Sequence, residues 1–324
     1  MKKILVICLC LAILLGASAC RKNPQAGQLR KLKLVLDWTP NTNHTGLYVA
    51  KELGYFKDSG LDVEIIQPGE NTAEKIVASG QAEFGVSYQE SVTIARNENI
   101  PIKSIAAVIQ HNTSGFASLK EDGIKTVKDF EGKRYGSSGW PSELFILSHL
   151  MRSARADYSK VKIVSGVYDF FNTIGKDADF EWIYWGWDGV QAQRRGVGID
   201  YIPIRGLDPV FDFYTPVLIS SDQFLNSSPE LAKAFLGAVS KGYKYTIEHP
   251  DEAAGILVKA EPSLDPDHVK LSLGYLKDQF QADASTWGFQ QLEVWQRFTR
   301  WMLDQGIIKG PVKIQDLFTN EYLP

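Results

Sequence analysis

The sequence predicts an α/β protein of two lobes, each a parallel-rich sheet covered by helices, with a ligand cleft between them. Three observations predict it. Short apolar runs alternate with helical patterns at the spacing of strand–helix units. The alternation occurs as two successive blocks, which gives two sheets. A further strand pattern, Tyr214–Ser220, follows the second block and is expected to return to the first lobe.

In the first block, Leu32–Leu36, Leu61–Ile66, Ala82–Ser87 and Ile102–Gln110 read as strands. The helices between them are Leu47–Phe56, Thr72–Ser79 and Glu90–Asn97, with glycine at the stops near Gly54 and Gly80. In the second block the strands are Arg134–Ser137, Val161–Val164, Phe180–Trp185 and Tyr201–Ile204, and the helices are Pro141–Met151, Phe170–Lys176 and Asp188–Arg195. A helical tail follows, with Pro229–Glu248, Asp251–Lys259, Pro266–Phe280 and Phe289–Gln305 spaced as amphipathic helices with charged flanks. The chain is expected to cross between lobes near Ser114–Lys120 and Arg205–Val210. Residues 32–116 and 208–324 then form lobe 1, and residues 117–207 form lobe 2. Open sheets of this kind bind ligands beyond the carboxyl ends of their strands.

The N-terminus carries a basic start (Lys2, Lys3), an apolar run Ile4–Leu15 and the small residues of Gly-Ala-Ser-Ala before Cys20. This reads as a signal peptide over residues 1–19, too short to span a bilayer. The pattern resembles a bacterial lipoprotein signal, which would make Cys20 the lipidated first residue. Ala17 stands where such signals usually carry leucine. Residues 20–31, polar with Pro and Gly, read as the tether. Cys8 and Cys10 fall in the leader, so the mature chain would keep Cys20 alone, which leaves neither an internal disulfide nor a cysteine metal site.

The chain has 324 residues and a formal net charge of -3, so no basic field points to nucleic acid. No phosphate loop, G-x-G-x-x-G or G-x-S-x-G occurs, and the 5 histidines lack zinc spacing. Aromatics are plentiful, with 8 Trp and 13 Tyr. They gather at strand ends beside hydrogen-bonding groups: Asp37-Trp38, Ser87-Tyr88-Gln89-Glu90, Gln110-His111, Ser138-Gly139-Trp140, Tyr184-Trp185-Gly186-Trp187-Asp188 and Phe213-Tyr214. A flat heterocycle needs faces to stack on and polar groups at its edge. Trp38, Trp140, Trp185 or Trp187, and Tyr214 are candidate faces. Asp37, Glu90, Gln110, Asp188 and Glu143 are candidate edges, with His44, Ser87, Tyr88 and Tyr184 beside them.

Each has a plainer reading. A Trp at a strand end also serves as core packing. Asp188 can be a helix N-cap, and His44 an exposed or helix-start residue. Ser138–Glu143 reads first as a helix start with Pro141 near N1. Free N–H groups at such a start can also hold an anion or a carbonyl oxygen.

DWTPNTNHTGLYVAKELGYFKDSGLDVEI, ASGQAEFGVSYQES, DADFEWIYWGWDG and LDPVFDFYTPVLIS resemble the substrate-binding lipoproteins of ABC importers for thiamine's pyrimidine precursor (the ThiY type), in the superfamily of the fungal thiamine-pyrimidine synthase. The likeness runs from about Leu32 to the C-terminus. It implies a periplasmic-binding-protein fold, an aminopyrimidine ligand such as formylaminopyrimidine or hydroxymethylpyrimidine, and permease and ATPase partners. It implies no cofactor. In the fungal enzyme a lysine of the third-strand segment carries pyridoxal phosphate, and a histidine four residues on is consumed. Here Ser87 and Ser91 stand at those places, and no cysteine stands in the FDFYTPV segment where the enzyme's iron motif falls. A Schiff base needs an amine, so the resemblance implies a binding protein rather than an enzyme. Relatives in this superfamily take riboflavin, and more distant ones sulfonates such as taurine. The shortage of Arg and Lys at the strand ends disfavours an anion.

Overall fold

The structure is a computed structural model that describes residues 29–324. The signal peptide, Cys20 and most of the tether lie outside the described residues. Two five-stranded sheets carry the fold. The first has the order β2-β1-β3-β10-β4, built from β1 (Arg30–Val35), β2 (Leu61–Ile66), β3 (Phe84–Ser87), β4 (Ile102–Ala107) and β10 (Val217–Ser221). The second has the order β7-β6-β8-β5-β9, built from β5 (Ser114–Leu119), β6 (Arg134–Ser137), β7 (Lys162–Ser165), β8 (Phe180–Tyr184) and β9 (Ile199–Pro203). β1 runs parallel to β2 and β3, and β6 parallel to β7 and β8. β10 inserts antiparallel between β3 and β4, and β5 antiparallel between β8 and β9. Each sheet therefore carries one inserted strand next to its strand-end cluster.

β5 departs from the sequence reading. Residues 114–119 form a strand inside the second sheet, so the chain crosses between sheets at 108–113, earlier than expected. The cause is compositional: SGFASL is nearly all buried, with small residues on both faces, and shows no polar–apolar alternation. Strand and helix ends shift elsewhere by a few residues. β10 starts at Val217 and β4 ends at Ala107. The largest shift is at Trp185–Gly189, which forms a wide π-type turn instead of finishing a strand and opening a helix.

The longer helices flanking the sheets up to residue 195 are α1 (Thr45–Glu52), α2 (Ala73–Ala78), α3 (Gln89–Asn97), α4 (Glu143–Ser153) and α5 (Val190–Arg195), with single turns at Tyr55–Asp58 and Phe170–Thr173. The tail adds α6 (Pro229–Glu248), α7 (Pro250–Ala260), α8 (Pro266–Leu276) and α9 (Leu292–Asp304). α6 lies so close to α1 that a Cβ on Gly242 would sit 2.0 Å from the Gly46 carbonyl oxygen. Only glycine permits that approach. The contact matters for the cleft, because the neighbouring Tyr243 stacks on Trp287 and its hydroxyl donates to the Asn43 carbonyl at 2.6 Å. The loop after β1 is thereby held from behind.

α9 does not belong to one sheet. Its Trp295 packs in the core of the first sheet with Tyr214 and Leu317, while Phe298, Trp301 and Met302 join Phe116, Tyr135 and Phe180 in the core of the second. Its hydrophobic face is wide enough to serve both. No helix among the described residues is long and apolar enough to cross a membrane.

Candidate functional site

The carboxyl ends of the two sheets face each other across a cavity of about 490 Å³, within the range of small-molecule sites. Trp38, Tyr88, Trp140, Tyr168, Phe170, Trp182, Tyr184 and Trp187 supply its aromatic wall. Asp37, Glu143, Glu181 and Asp188 also line it, and no Lys, Arg or His does so among the described residues.

The first wall is built by the loop after β1. Asn41 caps a short turn, its Oδ1 accepting from the Asn43 N–H at 2.9 Å. The Asn41 N–H donates to His44 Nδ1 at 3.2 Å, which places the ring proton on Nε2. His44 Nε2 then donates to Asp37 Oδ1 at 2.6 Å, and the Tyr88 hydroxyl to Asp37 Oδ2 at 2.5 Å. Burial alone would raise the Asp37 pKa. The interactions with His44 and Tyr88 outweigh it, and the carboxyl is held below its usual range. Asp37 is thus an ionised group whose oxygens are already engaged. Tyr88→Phe removes one of those donors from a buried carboxylate. It is expected to cost about 1–3 kcal/mol of stability, read as a lower urea midpoint with an unchanged slope.

The second wall is built by β8 and the turn after it. Glu181 sits mid-strand, buried, with one oxygen accepting from Thr173 Oγ1 at 2.7 Å. Burial, reinforced by Asp188, pushes its pKa up to about 8. Asp188 accepts only a long bond, 3.3 Å, from the Tyr184 N–H, and burial pushes it up to about 6. It lies within the wide turn and caps no helix. These two carboxyls keep unengaged oxygens facing the cavity, unlike Asp37.

The lobes meet on both sides of the cavity. On one side Tyr88 and Trp140 meet edge to face at 4.6 Å, and Ser142 Oγ donates to Glu90. On the other, Ser272 of α8 donates to the Gly186 carbonyl and is bonded to Thr42 at 2.6 Å, while Trp187 meets His268 at 4.2 Å. Arg194 and Asp265 pair at 2.6 Å outside them.

Of the residues singled out from sequence, Asp37, Trp38, Tyr88, Trp140, Tyr184, Trp187, Asp188 and Glu143 line the cavity. The rest stand behind it. His44 acts through Asp37. Ser87 is buried and its hydroxyl donates to Glu74. Glu90 is buried in the lobe contact, where burial lifts its pKa to about 7, Ser142 opposing and Glu143 adding to the shift. Gln110 donates to the Phe289 carbonyl at 3.1 Å. Tyr214 is buried and its hydroxyl accepts from the Gln291 N–H at 2.8 Å. Trp185 packs on Tyr201 at 4.8 Å, because the wide turn carries it away while Trp187 faces the cleft. Sequence reasoning passed over Glu181, Trp182, Thr113, Thr215 and Tyr168, which also line the cavity. Glu181 had one signal, an acid in an otherwise apolar strand.

An aromatic cleft between two helix-covered sheets, joined by two crossings, defines the periplasmic-binding-protein class. The solved alkanesulfonate-binding protein SsuA of Xanthomonas axonopodis pv. citri, bound to MOPS, shares this fold with a TM-score of 0.69, 12% identity, and coverage of 91% of this chain and 99% of that one. The chain belongs to the NMT1/THI5 like family, whose model matches residues 41–253. It is 31% identical to the formylaminopyrimidine-binding protein of Halalkalibacterium halodurans over 99% of both chains. It is 26% identical to a 4-amino-5-hydroxymethyl-2-methylpyrimidine phosphate synthase of Legionella pneumophila, over 91% of this chain and 92% of that one. It is 25% identical to the riboflavin-binding protein RibY of Chloroflexus aurantiacus, over 91% and 87%.

Proposed function

We propose that this chain is the extracytoplasmic substrate-binding protein of an ABC importer, capturing an aminopyrimidine precursor of thiamine for salvage. The ligand is of the formylaminopyrimidine or hydroxymethylpyrimidine class. One observation carries the reading: two carboxyls with unengaged oxygens, Glu181 and Asp188, open into an aromatic cavity that has no basic side chain among the described residues. An aminopyrimidine presents N–H donors on a flat ring, which is the complement of that wall. The relative from Halalkalibacterium, similar over its full length, supports the same class.

In this reading the ring stacks between Trp38 of the first lobe and Tyr184 or Trp187 of the second. Asp188 and Glu181 accept from its amino edge. Asp37 holds Tyr88 in place and supplies negative potential. Closure turns the lobes about residues 108–113 and 204–216, and the closed form docks on the permease. A lipid on Cys20 keeps the protein at the membrane. Ser87 offers no amine for a Schiff base and its hydroxyl is tied to Glu74, so we read the chain as a binder and not a pyrimidine synthase.

Trp38 is 52% exposed at the cavity rim, an unusual place for so large an apolar group. Trp38→Ala is expected to weaken binding about tenfold or more and to leave the melting temperature unchanged. Unchanged affinity would remove Trp38 from the site. The test of the function is calorimetric titration of the refolded soluble body with formylaminopyrimidine, hydroxymethylpyrimidine, thiamine, riboflavin and taurine. Selective binding of an aminopyrimidine supports the reading. Binding of riboflavin alone would keep the class and replace the ligand; the aromatic wall and RibY are what favour that second reading. Binding of taurine alone would contradict the acid-only wall.

A further inference from the structure

The turn between β6 and α4 converges its donors on one point. The N–H groups of Ser138, Gly139 and Trp140 reach it at 3.3, 3.0 and 3.2 Å, the Ser137 hydroxyl at 2.9 Å and the Tyr135 hydroxyl at 2.5 Å. Gly139, at φ +85°, gives the turn the left-handed step that aims its N–H inward. Donors so arranged hold the oxygens of phosphates and sulfonates. Here the acceptor is the chain's own Glu143 carboxylate, 3% exposed. Every hydrogen-bonding partner it has is a donor, as an ionised carboxylate requires. The N–H groups that the sequence leaves open for an anion or carbonyl are therefore already taken. Glu143 also lines the cavity, opposite the ionised Asp37.

We infer that Glu143 is a specificity-determining residue: it fills the cavity's anion cradle with a fixed negative charge, so the protein accepts an unphosphorylated ligand and rejects its phosphate ester. An incoming phosphate meets like charge and finds the complementary donors engaged. The inference rests on the cavity being the ligand site, and it deepens that reading by setting the ligand's charge. A capping role alone would give Glu143 the same hydrogen bonds, but would not make its removal create an anion site.

The experiment titrates inorganic phosphate and sulfate into wild type, Glu143→Ala and Glu143→Gln by calorimetry and thermal shift. Wild type and Glu143→Gln are expected to bind neither, because the glutamine still fills the cradle. Glu143→Ala is expected to bind phosphate with a Kd on the order of 1 mM and to melt higher in its presence. A folded Glu143→Ala that ignores phosphate, or a wild type that binds it, overturns the inference. Should the alanine variant fail to fold, wild type is compared on hydroxymethylpyrimidine and its phosphate ester. The ester is expected to bind at least about 100-fold more weakly, and equal affinity overturns the inference. If Glu143→Ala folds and neither pyrimidine binds wild type, the ligand reading has failed, and the phosphate titration of the alanine variant still decides the role of Glu143.

Discussion

In the proposed binding mode, Asp188→Asn is expected to weaken formylaminopyrimidine binding about 100-fold near neutral pH, and the ligand-free variant is expected to melt no lower than wild type. The first half follows from hydrogen bonding. A charged acceptor contributes about 1.5–3 kcal/mol to a bond with an amine donor, and the amide that replaces it points an N–H at another N–H on one side. The second half follows from the raised pKa. Burial disfavours the ionised Asp188 in the empty cavity, and its single long bond to the Tyr184 N–H does not compensate. A neutral amide of the same shape relieves that penalty, by about 1 kcal/mol once water in the cavity is allowed for. Affinity and stability therefore move in opposite directions. A calorimetric titration paired with a melt separates the outcomes. Intact affinity would release Asp188 from the ligand. A fall in both would make it a structural residue of the turn.

The same residue illustrates what the sequence could and could not show. The segment YWGWDG marked a cluster of aromatics and an acid at a strand end, and the cluster is there. Which tryptophan faces the cavity depends on where the strand stops. Strict alternation assigns Tyr184 and Trp185 to opposite faces. A five-residue wide turn in place of a tight one decides that Trp187 enters the cavity and Trp185 packs on Tyr201. Backbone hydrogen-bond spacing of that kind has no residue signature. Strand β5 was missed because its small residues are buried on both faces, which removes the alternation that identifies a strand. Glu181 was passed over because an acid inside FEWIY breaks a pattern without saying why. Glu143 was recognised as a helix start, and its carboxylate then proved to satisfy the donors left open there. The first-lobe loop was the most legible part, since Asn41 and His44 act within a few residues of Asp37. The bonds that close the cleft, such as Ser272 to Gly186, join residues far apart in the chain, and no local pattern announces them.

The ligand-free protein is expected to lose stability as pH rises above neutrality, which is unusual for a protein with a net negative charge of ordinary size. Asp188, Glu90 and Glu181 have folded pKa values raised to about 6, 7 and 8, in each case chiefly by burial. A carboxyl whose folded pKa lies above its unfolded value binds more protons when folded. Its contribution is complete below the unfolded pKa and is lost as pH rises through the folded one. His111 has the same sign, because its bonds to Asp212 and Asp283 raise its pKa against burial. His268 has the opposite sign. Burial lowers it to about 4, so it adds stability as pH rises toward the ordinary histidine value and contributes nothing further beyond. Asp37, with its lowered pKa, acts only in acid. By pH 6.5 the Asp188 loss is nearly complete, so between about pH 6.5 and 8.5 Glu181, Glu90 and His111 act alone. After allowing for water penetration and relaxation, the loss is on the order of 1–2 kcal/mol, a fall of roughly 2–4 °C in melting temperature. In the proposed binding mode an amine-bearing ligand supplies donors to Asp188 and Glu181 and so stabilises their ionised forms. With saturating formylaminopyrimidine the slope over the same range should shrink by at least about half. A flat profile in the free protein would mean that the buried carboxyls are solvated by water in the cavity. A steep profile that the ligand leaves unchanged would locate the titrating groups in the lobe contact at Glu90 and away from the amine-binding edge.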